Sequence, residues 1–373
     1  MKKIFVFIIL VSVFSLNSYA VNTDEYYEDR LEASGAKELS DYLSKETSEY
    51  LEKLGFEDID FEKMSEFSFE SVADLLLETA KNGIEAPLKG FLTASGTVLL
   101  VSVCSAFFPD DEKSRAVLNI ISGCMLAVGV FLPSAEAIKA VMSAIESCCV
   151  FEKALIPVLA GVVAVSGNPA LSLTYKTATF AAAEFVSLSG KNFVLPLVGI
   201  TGALGLTGAM MPTMKLTVIS DTLRKALTTV LASAASLFTG FLTLKGILST
   251  SADGIATKGV KLAANTFVPV IGGAIGEAYS SVVGSLGLLK NTVGIYAVAV
   301  IFVICFPVII NLALWAASIR AACMLSDLLD CRVCSDVLKN ISFIFSMINT
   351  LLIFVLLIFI ISTGLVIVFK TGG

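Results

Sequence analysis

The sequence predicts an all-α polytopic membrane protein, and three observations carry that prediction. Mean hydropathy is +0.86 and 56% of residues are hydrophobic, above the roughly 45–50% of soluble domains. The excess lies almost wholly after Pro87, in runs about as long as the ~20 residues a spanning helix needs. Those runs are continuous rather than alternating, which argues against a β-barrel.

Taken in order, the first twenty residues predict a secretory signal. Lys2 and Lys3 are followed by an apolar core from Ile4 to Leu16 and a small-x-small site at Ser18-Tyr19-Ala20. Cleavage between Ala20 and Val21 would place the next segment outside the cytoplasm. Residues 21–86 form an acidic domain, with nineteen Asp and Glu against six Lys and Arg up to Glu85. Leu31, Leu39, Leu43, Tyr50, Leu51 and Leu54 recur at helical spacing, so two or three short amphipathic helices are expected. A domain of this size buries little core of its own and is expected to dock on the membrane domain or on a partner. Its charge excludes nucleic-acid binding.

Residues 87–373 form the multipass domain. Eight apolar segments are read there, giving six to nine spans. They are about 90–108, 116–132, 154–173, 193–211, 226–248, 267–289, 293–319 and 341–369. Residues 133–153 and 177–190 read as interfacial or hairpin pieces. The lipid bilayer is the first partner the composition implies.

Asn265 to Asn291 is apolar, yet it holds Pro269, five glycines and Glu277. Broken backbone is tolerated at membrane depth only where protein or a water-filled cavity covers it. Asn265, Pro269, Gly272, Gly273, Glu277, Lys290 and Asn291 are therefore the candidate pathway or joint residues. The segment either spans or re-enters. Glu184 and Glu277 read as acids well inside apolar segments, and an intramembrane acid is a functional hypothesis by default. Glu277 can equally cap a half-helix end near the interface.

The chain also echoes itself. Ile156-Pro157-Val158 resembles Val268-Pro269-Val270, Leu195-Pro196-Leu197 resembles Phe306-Pro307-Val308, and Ser220-Asp221-Thr222-Leu223-Arg224 resembles Ser335-Asp336-Val337-Leu338-Lys339. Three matches in order suggest repeat units at about 154–248 and 266–369. Pro157, Pro196, Pro307, Asp221 and Asp336 are the candidate equivalents. Broken helices at corresponding places of two repeats are a transporter architecture.

Enzymatic chemistry finds no support. The chain has no histidine, hence no His-based general base or metal ligand. No nucleotide cradle and no nucleophile elbow occurs. No catalytic residue, cofactor or metal is assigned. Cys331-Arg332-Val333-Cys334 reads as a pair of small loop cysteines.

Asn265-Thr-Phe-Val-Pro-Val-Ile-Gly-Gly273, with Leu288-Leu-Lys-Asn291 and Gly294, resembles the stage III sporulation protein AE family. So do Ala94-Ser95-Gly96, Asp253-Gly254 and Lys261. The resemblance implies a non-enzymatic, permease-like subunit in the mother-cell membrane facing the forespore. It implies partners from the same operon: a secretion-type ATPase, a ring-forming subunit and small membrane proteins, assembled as a channel or secretion-like conduit. The alternative is a self-sufficient secondary transporter of a small solute.

Overall fold

The computed structural model describes residues 31–56, 59, 69–107, 112–165, 169–189, 193–211, 216–233, 236, 240 and 272–368, with backbone alone at 112, 187–189, 272–286, 365, 366 and 368. Among the described residues every regular element is helical, as the composition requires. The predicted signal and the Ala20–Val21 junction lie outside them.

The acidic segment begins with a 3-10 turn at Ala36–Tyr42 and α1 at Lys45–Lys53. Ser44 caps α1 by accepting from the Thr47 amide at 3.2 Å. Gly55, at φ 78°, closes it. The Phe56 amide donates to Leu51 O at 2.9 Å and the Gly55 amide to Glu52 O at 3.0 Å. This is a Schellman closure, and the apolar pair that accompanies it, Leu51 and Phe56, is buried. The amphipathic α2, Phe69–Gly83, follows, and Lys53 meets Glu78 at 2.7 Å to tie it to α1. The described part of the segment rests on the long helices below. Ser44, Thr47 and Tyr50 share a cleft of about 390 Å³ with Pro133, Ser147 and Pro307.

Among the described residues four helical stretches are long and apolar enough to cross a membrane: Glu85–Phe107, Lys113–Val165, Gly287–Leu328 and Arg332–Gly364. Eight segments were expected; some of them run together into one helix, and most of 226–248 and the start of 267–289 lie outside the described residues. α3 is Glu85–Phe107. α4, Glu112–Leu126, runs through a π turn at Ala127–Phe131 into α5, Leu132–Val165. The segment read as interfacial, 133–153, is thus the middle of a helical run, and Pro157 lies inside α5 without ending it. α6 is Pro169–Ser189 and α7 is the shorter Leu195–Met210. α8 covers residues 216–233. α9 runs unbroken from Gly272 to Leu328, 57 residues, joining two segments expected to be separate. At ~1.5 Å per residue it is about 85 Å long, well beyond a bilayer core. α10 is Arg332–Val368.

α9 and α10 form the central antiparallel hairpin. Their turn closes on Asp330 at φ 54°, with the Cys331 amide donating to Ser326 O at 3.0 Å. Trp315 stacks on Phe345, ring centroids 5.9 Å apart, and Arg320 donates to Ser346 Oγ at 2.8 Å. In the best apolar windows of these two helices 61% and 67% of residues are buried, against 33% in α3 and 22% in the 113–165 run. The hairpin is therefore the core and the others are its wall. The wall presents Leu99, Leu100, Val103 and Phe107 outward, as a lipid-facing surface does.

Small residues set the closest approaches, as expected where apolar side chains gain nothing by leaving lipid. Gly90 and Ala94 of α3 are buried, and Gly90 lies against Trp315 of α9. Gly202 and Gly205 of α7 lie against Ile344 and Asn340 of α10. α5 and α6 pack antiparallel. Ser172 donates to Ala160 O at 2.6 Å and Cys149 reaches Ala183 O at 3.8 Å.

Candidate functional site

The buried face of α5 reads Val141, Ile145, Cys148, Glu152, Leu155, Leu159 and Val163. One position in this apolar stripe is a carboxylic acid. Glu152 has no exposed surface. Thr363 of α10 donates to its Oε1 at 3.3 Å. Oε2 is buried with no hydrogen-bond partner among the described residues. Tyr175 of α6 places its buried hydroxyl beside Glu152, Thr363 and Thr179. Thr179 Oγ1 and Ser362 Oγ are 2.5 Å apart. Two helices thus converge their hydroxyls on one carboxyl carried by a third, inside the bundle. Next to it, Cys148 and Cys305 bring Sγ to Sγ at 3.4 Å as free thiols, joining α5 to α9.

Burying a lone carboxylate costs several kcal/mol after relaxation. A fold keeps such a group only where something repays it, so the cluster is the strongest candidate site among the described residues.

A second polar contact joins α8 to α10. Arg224 Nη2 donates to Asn340 Oδ1, and its guanidinium lies 4.1 Å over the Phe343 ring. Asn340 Nδ2 donates to Gly205 O at 3.1 Å and to Asp336 O at 2.8 Å. The two Ser-Asp-x-Leu motifs of the internal echo therefore meet through Arg224 and the residue following Lys339.

The other residues singled out from the sequence are scattered. Asn265 and Pro269 lie outside the described residues. Gly272, Gly273 and Glu277 fall in the first turns of α9, where the backbone is helical. Lys290 is buried, and Asn291 has a buried Oδ1 with no hydrogen-bond partner. Gly294 meets Ile367, so both sit about two turns along α9 from the level of Thr363. Pro196 stands at the start of α7 while Pro307 stands inside α9, two different local settings. Asp221 and Asp336 are exposed. Glu184, read as an intramembrane acid, is instead about two-fifths exposed and pairs with Lys153 at 2.6 Å.

Glu152 escaped the sequence reading because 133–153 did not read as a span. The signal was present. Val141, Ile145, Cys148, Leu155 and Leu159 make a heptad-like stripe whose missing member is residue 152.

Fold and site together define a multispan helical membrane protein with a buried acid held among three helices. The chain belongs to the stage III sporulation protein AE family, whose model matches residues 56–370. It is similar to stage III sporulation protein AE of Bacillus subtilis (strain 168), at 31% identity over 220 residues, 57% of this chain and 55% of that protein. The match spans about half the relative's length. No solved structure matches the chain.

Proposed function

We propose that the protein is the non-enzymatic, permease-like membrane subunit of a sporulation channel or secretion-like complex linking mother cell and forespore, required for forespore development. Family membership over residues 56–370 is the observation that carries this reading, and the four helices able to cross a membrane support it. In this reading the chain sits in the mother-cell membrane facing the forespore, with its N-terminal domain extracytoplasmic. A secretion-type ATPase, a ring-forming subunit and small membrane proteins of the same operon are its partners. The Asn265–Asn291 segment lines the pathway or forms a joint between subunits.

The test is affinity isolation of the tagged full-length protein from sporulating cells. The ATPase and ring subunit should co-isolate, and loss of the gene should arrest forespore development after engulfment. Normal spores without the gene would refute the reading. A second reading is a self-sufficient secondary transporter, favoured by the buried Glu152 carboxyl, whose Oε2 has no hydrogen-bond partner among the described residues. It predicts solute uptake by vesicles containing this protein alone.

A further inference from the structure

We propose that Glu152, Tyr175, Thr179, Ser362 and Thr363 form an intramembrane binding site for one monovalent cation, a proton or a sodium ion. The inference rests on the reading of α5 and α10 as membrane-spanning and not on the sporulation complex.

Glu152 is fully buried, and among the described residues no Lys or Arg pairs with it. The nearest cation along α5, Lys153, turns outward to Glu184 at 2.6 Å. An ionised, unpaired carboxylate in this position would be a bare charge in low dielectric. The group must bind a cation or be neutral by carrying a proton, which is the same chemistry with the smallest cation.

The geometry matches that requirement. Oε2 of Glu152 is buried with no hydrogen-bond partner among the described residues, and the buried Oη of Tyr175 lies beside Thr363 and Thr179. Thr363 touches the other carboxyl oxygen at 3.3 Å, and the Thr179–Ser362 hydroxyl pair completes the wall at 2.5 Å. All of these are hard oxygen donors. One carboxyl balances one positive charge. A divalent ion would leave an uncompensated charge, and such ions take several carboxylates where protein supplies the cage.

The other titratable groups around Glu152 are few. On α5 these are Cys148 and Cys149. On α6 it is Tyr175, with Glu184 engaged by Lys153. From α9 Cys305 reaches Cys148 rather than the carboxyl. From α10 come only the hydroxyls of Ser362 and Thr363. A titration of the site therefore reports on Glu152.

The experiment is difference infrared spectroscopy on the purified full-length protein in lipid vesicles, titrated from about pH 5 to about pH 10. Wild type should show a carboxylic-acid carbonyl band that disappears in a one-proton step. Glu152→Gln should lose that band, and Glu184→Gln should keep it. Sodium that lowers the midpoint by competition assigns the site to sodium and proton; a midpoint indifferent to sodium assigns it to the proton. Thr363→Val and Tyr175→Phe keep the carboxyl and should move the midpoint by about one pH unit, a tenfold change in affinity. These variants also serve if Glu152→Gln does not fold. Absence of any band that depends on Glu152, or a midpoint unmoved in both hydroxyl variants, overturns the proposal. The complex is absent from this measurement, so its failure and that of the sporulation reading are separate results.

Discussion

Gly90 of α3 lies against the indole of Trp315 on α9, so closely that a Cβ at position 90 would come 2.5 Å from Cζ3. Trp315 is 2% exposed and stacked on Phe345, which leaves the ring nowhere to go. This contact seats the first membrane helix on the central hairpin.

Gly90→Ala should therefore destabilise the protein. Alanine gains about 1 kcal/mol of helix propensity, but overpacking costs typically 1–3 kcal/mol and the fixed ring puts this site at the upper end. Gly96, one helix face away, has nothing within 4 Å of its Cβ position. Gly96→Ala should stabilise by about 0.5–1 kcal/mol. Thermal unfolding of the two variants in detergent, compared with wild type, checks both signs.

Arg224 and Asn340 should be energetically coupled. Asn340→Ala removes the acceptor of Arg224 and leaves Gly205 O without its side-chain donor. The expected cost is about 1–3 kcal/mol. A double-mutant cycle with Arg224→Ala should give an interaction energy of about 0.5–3 kcal/mol. Strict additivity in chemical unfolding would show that the α8–α10 contact contributes nothing as a pair.

Cys331 should behave as a reactive thiol at neutral pH. It sits in the turn between α9 and α10, where a hydrogen bond from Cys334 lowers its pKa from 9.0 to about 6. The lowered value favours the thiolate, so the alkylation rate should rise through about pH 6 and level off near neutrality. An ordinary cysteine rises about two units higher, near 8.5. Cys334→Ser weakens the main cause and should move the profile upward. Maleimide labelling of Cys331 against pH, read by mass spectrometry, provides the measurement.

Gly55→Ala should loosen the acidic segment. Residue 55 holds φ 78°, a conformation that costs an L-residue roughly 1–2 kcal/mol. The Schellman closure that buries Leu51 against Phe56 depends on it. Limited proteolysis should cut near α1 faster in the variant, with the membrane helices unaffected.

Several features were legible in the residues alone. Sustained apolar runs after Pro87 determined the all-helical membrane class, because a backbone in lipid must satisfy its own hydrogen bonds. The Asn265–Asn291 motif pointed to the family. The helical spacing of Leu43, Tyr50, Leu51 and Leu54 marked an amphipathic helix ahead of the first span.

Other features depended on distances that no local window contains. Whether 113–165 is one helical stretch or several was not set by its polar positions, since Glu136, Lys139 and Glu146 stay exposed along it. Proline and glycine signal a break only as a local preference, and α5 and α9 override it at Pro157 and Pro307. Glu152 is the clearest case. In sequence it is one acid beside Phe151 and Lys153, like any on a wet helix face. Its partners lie on α6 and α10, and the one that hydrogen-bonds it, Thr363, is 211 residues away. Periodicity fixed the face of α5 on which the acid lies. Only the packing of three helices decided that this face is closed to water, and it is that closure which makes a carboxyl a binding site.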